Sequence, residues 1–275
     1  MQVSTVDAGG IGLSVGQAGA GSPRRVLFVH GFTGCKEEFG DLVDAFADRG
    51  WHAATVDLRG HGQSGHPQGE AAYHLGAFVG DVVGTADALG WDRFDLVGHS
   101  MGGSVAQRIA IDHSNRLGRL VLMSTFHGPL DIDPALVGLG VAIVNQGGIE
   151  ALHQALAARR EMDPAALAAR ERIEKARPGY GELADGKLLA CAANMWTAMA
   201  PRFPVWPDTL AEAAGIGVPT LVMVGDEDKT MRADCERLAA TVPGARFELL
   251  EGVRHSPHLE APARTLSVLA GFLEG

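Results

Sequence analysis

Five residues joining an apolar strand-like run to an apolar helix-like run constrain this chain more than any other feature. Phe94-Asp95-Leu96-Val97 supplies the strand, and Val105, Ile109 and Ala110 give the helix its buried face. The connection between them, Gly98-His99-Ser100-Met101-Gly102, has the pattern G-x-S-x-G. A turn that tight tolerates only glycine at its flanks and forces the central serine hydroxyl out over the end of the sheet. A hydroxyl placed there can be a nucleophile. With 37 glycines among 275 residues, the same five residues can also be read as a plain glycine-rich turn, so their surroundings must decide.

Those surroundings alternate. Val26-Leu27-Phe28-Val29, Leu120-Val121-Leu122-Met123 and Leu221-Val222-Met223-Val224 are near-continuous apolar runs, as expected of strands buried on both faces. Phe39, Leu42, Val43 and Phe46 fall at helical spacing and stop at Gly50, while Phe78, Val79, Val82, Val83, Ala86 and Leu89 do the same before Gly90. Thr55-Val56-Asp57 is a further strand end, followed by a glycine-punctuated loop from Leu58 to Gly65. This order predicts an α/β fold with a mostly parallel, doubly wound sheet covered by helices on both faces. The alternation lapses between Phe126 and Pro207, where Ala-rich helical stretches dominate, edged by Gly128-Pro129 and by Pro201, Pro204 and Pro207. The expected organisation is therefore a core formed by residues 1–125 and 208–275, with a helical insertion over 126–207. Strand and helix resume with Pro219 to Val224, Cys235 to Ala240, Arg246 to Leu250, and a last helix entered at Pro262.

Composition narrows the function. A net charge of −10 argues against nucleic acid, because binding a phosphate backbone needs a cationic footprint. Three cysteines, Cys35, Cys191 and Cys235, with no C-x-x-C spacing suggest neither a disulfide framework nor a thiolate metal site. The start of the chain has no basic or apolar leader, and the aliphatic stretch around Leu136 to Val144 reads as too short to span a bilayer. The expectation is a cytoplasmic protein, monomer or homodimer, with no membrane partner.

Serine is a poor nucleophile at neutral pH, so Ser100 needs a base, an orienter for that base, and donors for an oxyanion. In a doubly wound sheet such groups follow the carboxyl ends of strands. Gly225-Asp226-Glu227-Asp228 follows one late strand, and Glu251-Gly252-Val253-Arg254-His255-Ser256-Pro257-His258 follows the next. The resulting chain order is serine, acid, histidine. His30-Gly31-Phe32 follows the first apolar strand, where the Phe32 N–H would pair with the Met101 N–H to bind a tetrahedral oxyanion.

With these motifs, the chain resembles the α/β-hydrolase superfamily over essentially its whole length. The resemblance rests on His30 to Phe32, on Gly98 to Gly103, on the G-x-x-D of Gly225 to Asp228, and on His255 in R-H-S-P-H-L-E-A-P. It implies a helical cap in the inserted region and a triad of Ser100, His255 and Asp228, the acid being the fourth residue of G-x-x-D. Asp226 lies on the same loop and is the competing acid; His258 is the competing base, nearer the last helix and suited to packing or capping. His30, His61 and His99 are expected to be structural, and Cys35 to be a small buried hydrophobe or a pocket residue. No metal or cofactor is implied.

The large apolar residues Met195, Trp196, Met199, Phe203 and Trp206 read either as helix packing or as the wall of a substrate pocket. Eight Lys or Arg against nine Asp or Glu between Phe126 and Pro207 do not favour a strongly anionic substrate. The resemblance therefore implies hydrolysis of a carboxylic ester, lactone or related acyl bond in a small, mainly apolar molecule. Within the family the same triad also cleaves C–C bonds beside ketones or runs cofactor-free eliminations, and some relatives are ligand receptors. The chain is similar to menaquinone-pathway synthases at His30 to Gly34, but has Ser104 where they usually carry arginine. It departs from ring-cleavage C–C hydrolases at His99 and Ser256. Halide removal and epoxide opening would need Asp at position 100.

Overall fold

The computed structural model describes residues 1–162 and 164–275. Eight strands, β1 (Gln2–Asp7), β2 (Gly12–Ala18), β3 (Arg25–Val29), β4 (His52–Val56), β5 (Phe94–His99), β6 (Leu117–Met123), β7 (Thr220–Gly225) and β8 (Arg246–Leu250), form one sheet in the order β1-β2-β4-β3-β5-β6-β7-β8. The helices are α1 (Gly40–Ala47), α2 (Leu75–Ala88), α3 (Met101–Asp112), α4 (Pro134–Glu161), α5 (Pro164–Ala176), α6 (Tyr180–Leu189), α7 (Ala193–Met199), α8 (Leu210–Ala213), α9 (Arg232–Thr241), α10 (Pro257–Glu260) and α11 (Pro262–Leu273).

The apolar strands sort their side chains by parity. Val26 and Phe28 of β3 pack with Leu42, Val43 and Phe46 of α1 and with Leu269 and Leu273 of α11 on one face. Leu27 and Val29 pack with Phe78 and Val82 of α2, Val105 and Ile109 of α3, and Leu238 of α9 on the other. Strands covered on both sides cannot show a polar/apolar alternation, which explains the continuous apolar runs. Each fully buried Val, Leu or Phe contributes about 1.5–3 kcal/mol of transfer free energy.

From β3 onward every pairing is parallel, whereas β1 pairs with β2, and β2 with β4, antiparallel. This hairpin escaped the sequence reading, although Val3, Val6, Leu13 and Val15 around the glycine turn at Gly9-Gly10 carried its signal. The chain moves from β3 to β4 on one side and then to β5 on the other. That reversal lies between β3 and β5, paired in register through Val29 and Gly98, so His30 and Ser100 leave the sheet side by side. A crevice outside the strand ends at such a reversal is where ligands bind in open α/β sheets.

Between β6 and α8 the described residues form only helices, α4 to α7 and a 3₁₀ segment at Ala200–Val205. Helix α4 starts at Pro134, with the Asp133 carboxylate accepting the Ala135 N–H at 2.8 Å. It is much longer than the aliphatic stretch suggested: 28 residues, long and apolar enough by length and composition to cross a membrane. Here it is kinked at Gly148, which has φ +73°, and it buries Val144, Ile149 and Leu152 against the rest of the fold.

Candidate active site

The turn into α3 is held by collisions that only glycine avoids. A Cβ at Gly98 would lie 2.3 Å from the Gly102 oxygen, and one at Gly102 would lie 2.5 Å from both the Val29 and His30 oxygens. Between them Ser100 has φ +54° and ψ −120°, a strained conformation for a residue with a side chain. Two bonds keep it there: Ser100 N–H donates to the Met123 carbonyl at 3.0 Å, and Thr125 Oγ1 donates to the Ser100 carbonyl at 2.7 Å. The Ser100 hydroxyl is thus presented at the head of α3.

His255 reaches it from the loop after β8, with Nε2 3.1 Å from Ser100 Oγ. On the other side of the ring, Nδ1 lies 2.9 Å from Asp228 Oδ2. A carboxylate there accepts Nδ1–H, which leaves Nε2 free to take the serine proton. Asp228 is buried, and its second oxygen accepts the Met231 N–H at 3.3 Å. The two loops can meet because β7 ends in Gly225, where a Cβ would fall 2.1 Å from the Val253 oxygen.

The competing residues sit elsewhere. Asp226 accepts the Gly252 N–H at 2.7 Å and so braces the β8 turn. His258 is buried, stacked on Phe39 at 4.5 Å, and neither of its ring nitrogens has a partner among the described residues. Burial, reinforced by Lys187 and Arg177, holds its pKa well below the usual histidine value.

His99 does more than the sequence suggested. Its Nε2 donates to the His255 backbone carbonyl at 2.7 Å, tying the serine turn to the loop after β8. Burial, then the neighbouring His258 and His255, keep its pKa well below the ordinary value, so it stays a neutral donor. Its place inside G-x-S-x-G was visible, but the partner lies 156 residues away.

The loop after β3 brings Phe32 over the serine. His30 Nδ1 donates to the Gly31 carbonyl at 2.8 Å while its Nε2 accepts the Leu58 N–H at 3.1 Å, which fixes the tautomer. The peptides are trans, so pinning the Gly31 carbonyl turns the Phe32 N–H the opposite way. Among the described residues neither the Phe32 nor the Met101 N–H donates to a protein acceptor. The loop is braced by buried ion pairs. Lys36 Nζ lies 2.9 Å from Asp57 Oδ2, and Glu38 binds both the Cys35 N–H and Lys187 of α6. Cys35 itself is buried, its thiol pKa pushed up by burial and by Glu38.

Above Ser100 and His255 lies an apolar chamber of about 400 Å³, walled by Phe32, Phe126, Trp196 and Phe203 and by Leu136 and Val137 of α4. Of the pocket candidates from the sequence, Trp196 and Phe203 reach this wall. Met195, Met199 and Trp206 lie behind it, each almost fully buried. Trp206 stacks on Phe203 with centroids 5.5 Å apart and donates Nε1–H to Ser104 Oγ at 2.8 Å. The wall residues from α4 were in view only as part of an aliphatic stretch. A second, more polar groove of about 790 Å³ passes His255, Asp228 and Glu227 beside Arg172, Lys229 and Arg254. Arg159 lines the apolar chamber, and none of these four cations forms an ion pair among the described residues. Around the chamber and the groove these four cations face two lining carboxylates, Glu227 and Asp228, a more positive balance than that along 126–207.

Comparison with known proteins agrees with this architecture. The sequence profile of the Alpha/beta hydrolase family matches residues 26–268. A putative 2-succinyl-6-hydroxy-2,4-cyclohexadiene-1-carboxylate synthase of Bacillus subtilis (strain 168) is 26% identical, over 96% of this chain and 95% of its own. A 2-hydroxymuconate semialdehyde hydrolase of Pseudomonas sp. (strain CF600) is 29% identical, over 97% of this chain and 92% of its own. The crystal structure of the enol-lactonase from Burkholderia xenovorans LB400 superimposes with a TM-score of 0.80, covering 100% of both chains at 23% identity, a likeness of fold. With a family match spanning all but the first and last segments, a single sheet reversal and a serine elbow placed at it, the chain belongs to the alpha/beta hydrolase family.

Proposed function

We propose that this protein hydrolyses a carboxylic ester or lactone through an acyl-enzyme on Ser100. The observation behind this reading is the unbroken chain from Asp228 through His255 to Ser100 Oγ, with links of 2.9 and 3.1 Å, at the floor of an apolar chamber. Ser100 Oγ attacks the carbonyl carbon as His255 Nε2 takes its proton. Asp228 stabilises the resulting imidazolium without itself becoming protonated. The Phe32 and Met101 amides receive the developing oxyanion, each such donor being worth about 3–4 kcal/mol in the transition state. Collapse of the tetrahedral intermediate expels the alcohol, which takes the proton from His255. Water then repeats the sequence, releasing the acid and restoring Ser100.

The chamber suits an apolar acyl group, and Arg159, Arg172, Lys229 and Arg254 near the mouth suit a carboxylate or similar anion on the part of the substrate that projects from it. C–C hydrolysis is the second reading, favoured by the likeness to 2-hydroxymuconate semialdehyde hydrolase. There the base would have to serve a carbon leaving group.

A panel of short acyl esters, lactones and vinylogous diketones, assayed with purified protein, tests the proposal. Ester or lactone turnover of about 1 per second or faster is expected for an enzyme on its own substrate class. Diketone cleavage without ester or lactone turnover would replace the first reading by the second. A single slow turnover, with ligand retained, would instead indicate a receptor.

A further inference from the structure

The opposite end of the sheet, where β3, β5 and β6 begin, holds a second cavity, of about 690 Å³. Five arginines line it. Arg24 and Arg25 come from the entry to β3, Arg49 from the turn after α1, Arg93 from the residue before β5, and Arg119 from β6. Asp95 and Glu274 are the carboxylates lining the same cavity. Of the five guanidinium groups, among the described residues only that of Arg24 comes within ion-pair distance of a carboxylate, Glu274 at 3.7 Å.

Their other bonds go to neutral acceptors. Arg49 donates to the Ala45 carbonyl at 2.8 Å, and Arg93 donates to the Leu117 carbonyl at 3.0 Å. Arg24 donates to the Arg49 carbonyl at 3.4 Å while lying 4.3 Å over the Trp51 ring. Two donors are left over: Arg25 Nε and Trp51 Nε1 are buried and have no acceptor among the described residues. Buried donors of this kind are uncommon in folded proteins, and here two of them lie beside the same arginine-lined cavity. The chain does not lack acids to place here, with 33 Asp or Glu against 23 Lys or Arg. It pairs arginines elsewhere on its surface, as with Arg108 and Asp112 or Arg116 and Asp87. Five guanidinium groups around two carboxylates, Asp95 and Glu274, leave an excess of positive charge that costs electrostatic free energy unless an anion joins them, and planar guanidinium forks match phosphate oxygens.

We propose that this cavity binds a small polyanion carrying two or more linked phosphate groups, with Arg25 and Arg119 as its principal anchors and Arg24, Arg49 and Arg93 around its rim. Strand β5 spans six residues, so the site lies roughly 20 Å from Ser100 at ~3.3 Å per residue and takes no part in the reaction there. The chain's net charge of −10 disfavours an extended nucleic acid backbone, whereas a compact anion meets only this local positive field.

The experiment is isothermal titration of the full chain with inorganic pyrophosphate, ATP, orthophosphate and sulfate, at low and at physiological ionic strength. Saturable binding of one pyrophosphate or ATP per chain is expected, weakening as salt rises and much stronger than binding of sulfate or orthophosphate. Tighter binding of ATP than of pyrophosphate would identify a nucleotide as the source, and equal binding the linked phosphates alone. The Arg25→Gln, Arg119→Gln double variant should lose at least tenfold in affinity while keeping its hydrolytic rate, and Arg246→Gln, on the far edge strand, should bind like the parent. Should the double variant not fold, Arg119→Gln alone should still lose affinity several-fold. No saturation at millimolar pyrophosphate, equal binding of sulfate, or unchanged affinity in the folded variants would overturn the proposal.

Discussion

The end of the sheet beneath the chamber and the helical layer above it are built by different forces. At the sheet end, each group is placed through its main chain: Gly98 and Gly102 admit no side chain, the Ser100 N–H and carbonyl are held by the Met123 carbonyl and the Thr125 hydroxyl, and the His255 carbonyl is tied by the His99 ring. In the helical layer, from α4 to the 3₁₀ segment, position comes from side-chain packing, in which Phe203 faces the chamber while its stacking partner Trp206 is buried behind it. Changes at the sheet end should therefore alter the rate of reaction, and changes in the helical layer should alter stability or substrate choice. Three substitutions or conditions can break that division.

The largest effect is expected on the acid loop. Asp228→Asn should lower kcat by about 10⁴-fold, because the amide no longer holds His255 in the tautomer that can accept the serine proton. Asp226→Asn, which only loosens the turn at Gly252, should stay within a few-fold of the parent. Steady-state kinetics on the best ester decide it; similar losses in both variants would mean that the loop, and not one carboxylate, orients the base.

Next comes the pair of tryptophans. Trp206→Ala removes a buried ring and leaves Ser104 Oγ without its donor, so it should cost about 3–5 kcal/mol in denaturant unfolding and leave the acyl-length profile unchanged. Trp196→Ala should shift the preference toward longer acyl groups at a smaller cost in stability, since its ring lines the chamber. Exchange of the two outcomes would place Trp206 at the wall instead.

A smaller, graded effect is expected from pH. His99 and His258 are buried and neutral, their pKa values held well below the ordinary 6.5, chiefly by burial. The unfolded chain takes up protons below about pH 6.5 and the folded one does not, so stability is intact above that pH and falls below it. Each such histidine contributes a slope of up to about 1.4 kcal/mol per pH unit. Urea unfolding between pH 7 and 5 should show this loss, and His258→Phe, stacking on Phe39 as the imidazole does, should make the slope shallower. An unchanged slope would show that His258 is not kept neutral.

The same division explains what could be read from the chain. Ser100, Asp228 and His255 were legible because strand-end loops with glycine at fixed offsets leave few places for a side chain to go, and the continuous apolar runs gave the parallel sheet. The wall of the chamber was not. Met195 and Trp196 are adjacent in sequence and equally apolar, and only the way α7 packs puts one ring in the wall and the other side chain behind it. His99 was expected to be structural, but the loop it ties could not be named, because its partner is a backbone carbonyl, which no residue type announces. The hairpin of β1 and β2 was missed because β1 is an exposed edge strand and β2 interleaves Gly, Ser and Gln with its apolar residues, so neither shows the continuous apolar run of the interior strands.

The central claim is that Ser100 is the nucleophile, and covalent trapping tests it most directly. Intact-mass measurement after exposure to a fluorophosphonate should show one adduct on the parent protein, mapped by peptide sequencing to Ser100, and none on Ser100→Ala at equal folded concentration. Labelling of the alanine variant, or an adduct at any other residue of the parent, would contradict the account.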